Sequence, residues 1–156
     1  MFYTASYFQP KHHHGKLIAV SRTIPKGFRV DDRLEFLAPS QALLADWKAE
    51  NITQEKYTER YREQLKTSWN QVQNWLSSLS PQENLSLLCW EAKDKFCHRN
   101  LVALLVKRHR QECFGGCDVV HIEMERCDRC GHNLIPGLDR SFCQNCRCYF
   151  HHRFSA

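Results

Sequence analysis

Two kinds of hydrophobic pattern alternate along this chain. Short runs rich in apolar, aromatic and β-branched residues are typical of strands in a sheet, and the sequence predicts four of them, at residues 2–8, 17–21, 85–89 and 118–123. Between them, apolar residues recur every three or four positions, which is the spacing of one face of a helix. The longest such stretch, from about Thr53 to Leu79, forms one stripe that is more typical of a core than of a binding surface.

Strands that alternate with helices predict an α/β fold. A short helix is expected after Ser40, whose side chain suits the N-cap position, and a further helix is expected to begin at Cys97. We therefore expect a small, mainly parallel three-layer sheet of the Rossmann-like or flavodoxin-like kind over residues 1–123. A separate small domain is expected over residues 124–156.

Reactive side chains cluster where the third predicted strand ends. Cys89 and Glu91 close that strand, and Cys97 and His98 open the helix that follows. Ligands of parallel sheets bind outside the carboxyl ends of the strands, and the N-terminus of a helix favours anions and lowers the pKa of a thiol. Either cysteine is a candidate nucleophile, with Glu91 or His98 as a general base.

Two arginines complete this predicted site. Arg22 follows the second predicted strand, and Arg99 lies in the first turn of the last helix. The planar guanidinium matches a phosphate or a carboxylate, so both are candidate ligand-binding residues. Structural interpretations stay open: Cys89 as a small core residue, His98 as a helix cap and Arg99 as the partner of a carboxylate. The density of reactive groups between Cys89 and Arg99 favours a ligand site.

The segments Leu87-Leu-Cys-Trp-Glu91 and Phe96-Cys-His-Arg99 together resemble the family called domain of unknown function 488. The earlier Ile18-Ala-Val-Ser-Arg22 and the helical Tyr57-x3-Tyr61 agree with that resemblance. It covers roughly residues 1 to 120, and it implies an α/β fold without a settled activity. The resemblance carries over onto six positions, which are Arg22, Cys89, Glu91, Cys97, His98 and Arg99.

Four cysteines near the C-terminus form two Cys-x2-Cys pairs that are separated by twelve residues. Such pairs supply two thiolates each from tight turns, and four thiolates fill the tetrahedral shell of a structural Zn²⁺. The sequence therefore predicts a zinc ribbon whose metal ligands are Cys127, Cys130, Cys143 and Cys146. An iron–sulfur cluster is a lesser alternative, and Cys148 is a rival for the fourth position.

A further cysteine pair, Cys113 and Cys117, has an open role. The two residues are either incidental thiols of a glycine-rich loop or partners of Cys89 and Cys97 in a second metal or redox site. Nine cysteines in a protein that we expect to be cytoplasmic indicate metal or thiol chemistry rather than disulfides, because cytosolic thiols stay reduced.

The cytoplasmic expectation has two sources. No apolar run approaches the roughly 20 residues that span a bilayer, and the N-terminus lacks the basic and apolar segments of a signal peptide. We therefore expect no membrane contact. The net charge of +5 falls to about +3 once a four-thiolate zinc site is counted. That charge is compatible with nucleic acid and does not demonstrate it.

Three functions are compatible with these patterns. The favoured one is a thiol-dependent enzyme that acts on an anionic, nucleotide-like or nucleic-acid-like substrate, with the zinc ribbon for targeting. The alternative is a non-catalytic adaptor, in which the α/β domain binds an anionic small molecule and the ribbon binds nucleic acid or a protein. A redox or metal sensor is the weaker alternative. The chain has no Walker loop, no dinucleotide-binding glycine motif and no His-Glu-x-x-His, so nucleoside triphosphatases, dinucleotide dehydrogenases and zinc proteases lack support.

Overall fold

The computed structural model describes residues 1–92, 95–117, 127, 129–130, 140–143 and 145–151. Contacts divide the chain into two units, Met1–Val120 and His121–Ala156. The domain boundary predicted at residues 123 and 124 falls among residues outside the described part, as does the predicted strand at 118–123. In the described part, no helix has the length and apolar character needed to cross a membrane.

The first unit is an α/β fold with a parallel sheet, which confirms the predicted fold class. Its strands are β1 (Phe2–Ser6), β2 (Lys16–Ala19), β3 (Asp32–Arg33), β4 (Leu85–Cys89) and β5 (Phe114–Cys117). Its helices are α1 (Gln41–Lys48), α2 (Gln54–Thr67), α3 (Trp69–Ser78) and α4 (His98–His109). The strand order is β3-β2-β4-β1-β5, and each of these pairs is parallel.

Strand β4 lies at the centre of this sheet, between β1 and β2. All five of its residues are buried, as expected for an apolar strand that is covered on both faces. Ala5, Leu88 and Ala19 lie side by side in register on the three central strands and form one core cluster with Tyr7. Because these strands are parallel, their carboxyl ends meet at the same edge of the sheet.

The long helix predicted from Thr53 to Leu79 is two helices, α2 and α3, which meet at Ser68. The hydroxyls of Thr67 and Ser68 donate to the carbonyls of the residues three positions before them, at 2.7 and 3.5 Å. Such local hydrogen bonds compete with the helical backbone pattern and explain the break. The predicted apolar stripe nevertheless packs as core, with buried residues Tyr57, Tyr61, Leu65, Val72 and Leu76.

The two predicted helix starts are confirmed. The Ser40 hydroxyl accepts a hydrogen bond from the Leu43 backbone N–H at 3.2 Å, which caps α1. Cys97 is the N-cap residue of α4 and has extended backbone angles. Helix α4 therefore begins directly after the loop that leaves β4, so its first residues lie beside the carboxyl end of that strand.

The second unit contains an antiparallel hairpin of β6 (Arg140–Cys143) and β7 (Cys148–His151). Cys143 and Cys148 face each other in register at the closed end of this hairpin. Arg147, in the turn, has a φ of 51°, a left-handed conformation that is uncommon for a residue with a side chain. The tight turn brings Cys146 back towards Cys143, as a metal-binding knuckle requires.

Candidate functional site

The carboxyl ends of β1, β2 and β4 form the floor of the site. Backbone pairing continues one residue beyond these strands: the Tyr7 N–H donates to the Cys89 carbonyl at 3.0 Å, and the Val20 N–H donates to the Leu88 carbonyl at 3.1 Å. The Tyr7 hydroxyl and Ser21 Oγ are hydrogen-bonded at 2.7 Å. Three chain segments are thus fixed side by side where the sequence predicted the site.

A cavity of about 330 Å³ opens above this floor. Its aromatic wall consists of Trp47, Tyr57 and Phe96, whose ring centroids are 5.3 Å apart in each pair. The rings pack edge-on against one another, which is a favoured aromatic geometry. The remaining lining residues that bear on chemistry are Ser21, Arg22, Lys48, Cys89, Trp90, Glu91, Cys97 and His98.

One carboxylate oxygen joins the two cysteines of the site. Cys89 Sγ lies 2.8 Å and Cys97 Sγ 3.1 Å from Glu91 Oε2. Glu91 is therefore close enough to accept a hydrogen bond from either thiol. Both cysteines are buried, at 3% exposure each, although they line the cavity. The cavity is therefore a route by which a substrate would reach them.

The orientation of His98 is set by its hydrogen bond to a neighbouring strand. Nε2 of His98 lies 2.7 Å from the Val20 carbonyl oxygen. Because a carbonyl only accepts, Nε2 carries a proton, and Nδ1 of the neutral ring is then an acceptor. That nitrogen lies 3.7 Å from Cys97 Sγ. The Tyr61 ring packs edge-on against the imidazole, and the Tyr61 hydroxyl donates to the Leu37 carbonyl at 2.6 Å.

The surroundings move the pKa values of the two thiols in opposite directions. The hydrogen bond between Cys89 and Cys97, followed by burial, raises the pKa of Cys89. Burial also opposes ionisation of Cys97, but the hydrogen bond from Cys89 and the nearby His98 and Arg99 lower the pKa of Cys97 well below its usual value. Of the two thiols, Cys97 is therefore the one that ionises more readily.

The pKa values of two neighbouring groups depend on the charge of Cys97. Burial favours neutral His98, but the charge of Cys97 and the hydrogen bond with it raise the pKa of the imidazole. Burial, followed by the Cys97 charge, raises the pKa of Glu91. A negative charge on Cys97 would thus be stabilised by a protonated His98 and would favour the protonated form of Glu91.

The two predicted arginines occupy different positions. Arg22 is exposed and lines the cavity, and its Nη1 donates to the Pro39 carbonyl at 3.4 Å. Arg99 is fully buried, and its guanidinium donates to the carbonyls of Glu91 at 2.9 Å and Ala92 at 3.4 Å. Among the described residues, Arg22 is therefore the arginine that lines the cavity. Arg99 instead contacts the loop between β4 and α4 through two backbone carbonyls.

Three lining residues were not predicted as part of a site. Trp47 and Tyr57 have the helical spacing of core residues, and Lys48 ends an ordinary amphipathic helix. Their position at the cavity depends on how α1 and α2 pack over the sheet, which spacing along the chain does not encode. Trp90, at the end of β4, also lines the cavity; its ring is exposed, and its Nε1 donates to the Thr23 carbonyl at 2.8 Å.

Cys113 lies apart from the thiol cluster. It is buried, and its sulfur lies 3.8 Å from a Glu112 carboxylate oxygen. The side chain of Cys117 lies outside the described residues. Among the described side chains, the groups that offer three or more metal ligands are Cys89, Cys97 and His98 in the first unit and the four predicted cysteines in the second.

The second unit brings the four predicted zinc ligands together. Their sulfurs all lie within 4.8 Å of one another, with Cys127 to Cys146 at 3.8 Å and Cys130 to Cys143 at 3.5 Å. Four sulfurs bonded at about 2.3 Å in a tetrahedron lie about 3.8 Å apart. The Cys146 N–H also donates to Cys143 Sγ at 3.4 Å, so the turn supplies a hydrogen-bond donor to this sulfur. This group is compatible with a four-cysteine metal site and with a zinc ribbon. Cys148 packs against the group from outside.

Comparison with known proteins gives a family and no individual relative. No curated protein and no solved structure matches the chain. A family described as the active DUF488-N3 subclade, DUF488-N3a, matches residues 2–110, which is more than half of the chain. The match includes the cavity and every residue of the thiol site, and it ends before the four-cysteine unit. This chain belongs to the DUF488 family, in its subclade DUF488-N3a.

Proposed function

We propose that this protein is a thiol-dependent enzyme whose nucleophile is Cys97 and whose substrate is an anionic, nucleotide-like molecule. The observation that carries the proposal is the position of Cys97 Sγ, which borders the cavity 3.7 Å from His98 Nδ1 and 3.1 Å from Glu91 Oε2. A nucleophile beside a base that a third group orients is the arrangement found in covalent catalysis. Here the third group is the Val20 carbonyl.

Each neighbour of Cys97 has a distinct role in this proposal. His98 accepts the thiol proton at Nδ1 and stabilises the thiolate as an imidazolium. Cys89, which remains a thiol, donates a hydrogen bond to that thiolate and positions it. Glu91 lies within reach of both sulfurs and, once protonated, can return a proton to the leaving group. Arg99 is a positioning residue, since it holds the loop that carries Glu91.

The substrate class follows from the cavity lining. Arg22 and Lys48 are the cations of the described lining, and a guanidinium with an ammonium suits a phosphate or a carboxylate. The aromatic wall offers ring faces and edges to a planar group. Glu91 is the acidic lining residue, and its raised pKa reduces repulsion of an anion. An aromatic ring that bears a phosphate fits these three features.

The proposal predicts that a nucleotide protects Cys97 from alkylation. Adenosine monophosphate should slow the reaction of Cys97 with iodoacetamide in the native protein. Mass spectrometry of the protein measures the extent of labelling over time. Arg22→Ala should raise the half-protecting concentration about tenfold, which corresponds to about 1.4 kcal/mol of lost charge-assisted binding. Arg29→Ala is the matched control, because Arg29 is an exposed cation of the same loop outside the described cavity lining.

The outcomes separate the enzyme from its alternative. We expect the nucleotide to protect Cys97 in the wild type and in Arg29→Ala, and to protect it less in Arg22→Ala. This result would support both the nucleophile and the anion site. Nucleotide binding to a protein whose Cys97 reacts no faster than free cysteine would favour the non-catalytic adaptor. Equal protection in the two arginine variants would contradict the assignment of Arg22.

We also propose that the four-cysteine unit holds one structural Zn²⁺ and serves as a targeting module for nucleic acid or a protein partner. A closed four-thiolate site leaves no open position for water, so zinc would stabilise the fold rather than catalyse a reaction. Cys130→Ser should therefore lower the zinc content by one ion per chain, measured by mass spectrometry of the metal. Cys148→Ser should leave the content unchanged, since Cys148 lies outside the sulfur group. Zinc that is lost from Cys148→Ser and kept by Cys146→Ser would make Cys148 the fourth ligand in place of Cys146.

A further inference from the structure

We propose that Cys89, Cys97 and His98 form a second, exchangeable Zn²⁺ site, and that zinc bound there masks the nucleophile. The regulatory part of this inference rests on the proposed function, because masking has a meaning only if Cys97 is the nucleophile. The metal site itself stands on the geometry of three buried donor atoms.

The spacing of these atoms fits zinc. Cys89 Sγ, Cys97 Sγ and a ring nitrogen of His98 all lie within 4.8 Å of one another. In a tetrahedral site with Zn–S bonds of about 2.3 Å and a Zn–N bond of about 2.05 Å, sulfur and nitrogen lie about 3.6 Å apart. The distance from Cys97 Sγ to His98 Nδ1 is 3.7 Å. A metal can therefore be accommodated with little movement of the side chains.

The outer hydrogen bond of His98 is already the one that a zinc ligand needs. A histidine that binds a metal through one nitrogen usually donates its other N–H to a carbonyl or a carboxylate. Nε2 of His98 lies 2.7 Å from the Val20 carbonyl, which leaves the Nδ1 lone pair facing the sulfurs. The imidazole does not have to rotate or exchange its tautomer in order to bind.

The charges of the site also agree with a divalent cation. Binding of Zn²⁺ releases two protons, the thiol proton of Cys89 and the one that Cys97 and His98 share, and the resulting pair of thiolates neutralises the metal charge. The cavity, which all three ligands line, gives those protons a route to water. No buried net charge then remains on the three ligands and the metal.

The second site differs from the four-cysteine group in one respect. Three protein ligands leave the fourth position open, and all three ligands line the cavity. Open positions are typical of zinc that exchanges with solvent and ligands, whereas four thiolates give a closed structural site. We therefore expect zinc to leave the Cys89–Cys97–His98 site first when a chelator is added.

The test counts zinc in the full-length protein. Metal-stripped wild-type protein is reloaded with excess ZnCl₂, freed of unbound metal and measured by mass spectrometry of the metal. We expect two ions per chain for the wild type and for Cys113→Ser, whose buried thiol lies outside both groups. We expect one ion per chain for Cys89→Ala and for His98→Gln. One ion in the wild type, or two in both site variants, would overturn the second site.

A second measurement separates this inference from the proposed function. In protein that carries only the tightly held zinc, alkylation of Cys97 should slow at least about tenfold when one further equivalent of Zn²⁺ is added, because a metal-bound thiolate is a poor nucleophile. Fast alkylation that zinc does not slow would overturn masking while leaving the nucleophile intact. Two bound ions with slow alkylation of the chelated protein would keep the site and overturn the nucleophile. The visible absorption of bound Co²⁺ reports tetrahedral metal sites and does not depend on the zinc count. Comparison of this absorption in the wild type and in His98→Gln therefore tests the site even if another variant is poorly stable.

Discussion

Replacing Cys97 by serine should abolish the fast alkylation of the native, chelator-treated protein. Burial opposes ionisation of Cys97, but Cys89, His98 and Arg99 together lower the pKa of its thiol well below the usual value. A hydroxyl cannot take over this role, since its ionisation lies far above neutral pH. The measurement is the rate of iodoacetamide labelling of each cysteine, resolved by peptide mass spectrometry.

Two other cysteine variants make this test specific. Cys113→Ser removes a buried thiol outside the cluster and should leave the rate unchanged. Cys89→Ser should slow Cys97 only in part, because a serine hydroxyl can still donate a hydrogen bond to the thiolate. The wild-type rate should stay high at pH values where free cysteine is protonated, since a lowered pKa keeps Cys97 ionised there. A Cys97 that reacts no faster than Cys113 would eliminate it as a nucleophile.

Replacing Arg99 by methionine should lower the free energy of unfolding by about 3 kcal/mol, because two loop carbonyls lose a charged donor and a hydrogen bond to a charged group contributes about 1.5–3 kcal/mol. Arg99 is fully buried and donates to the carbonyls of Glu91 and Ala92. Methionine nearly fills the space of the arginine stem without a polar head. Urea denaturation followed by circular dichroism measures the change.

The controls for Arg99 follow from the geometry of its head group. Arg29→Met changes an exposed arginine and should alter the free energy of unfolding by less than about 0.5 kcal/mol. Arg99→Lys should lie between these values, because lysine keeps the charge and loses the planar fork that reaches both carbonyls. Equal denaturation midpoints for the wild type and Arg99→Met would show that the loop does not depend on this contact.

The parts of the fold that follow from local pattern were predicted from the sequence. Strand β4 has the predicted bounds, Leu85–Cys89. A strand that is buried at all five positions requires a mainly apolar run, and such a run is easily recognised in a sequence. Strands β3 and β5 were not predicted. The first has two charged residues, and the second contains Gly115 and Gly116, which carry no side-chain pattern. Gly115 is needed there because a Cβ would lie 2.5 Å from the Tyr3 ring.

The site was predicted where its members are close along the chain. Cys89, Glu91, Cys97 and His98 converge because a strand end and a helix start are joined by a short loop. The roles of the two arginines were beyond sequence reasoning. Successive helical residues point about 100° apart, and nothing local determines that Arg99 faces inward. Helix α4 shows the same effect, since Val102 and Val106 are fully buried whereas the larger Leu101 and Leu104 are only half-buried.

The hydrogen bond from His98 to the Val20 carbonyl has a consequence for how this family can vary. The imidazole depends on a backbone atom of β2, and the identity of the side chain at position 20 does not enter that contact. Substitutions that keep the packing of this position can therefore accumulate without touching the chemistry. A slip of β2 by one residue against β4 would instead offer a different backbone group to Nε2 and turn the side chains to the opposite face. If Cys97 is the nucleophile that we propose, the alignment of β2 with β4 matters more to the site than the side chain at position 20.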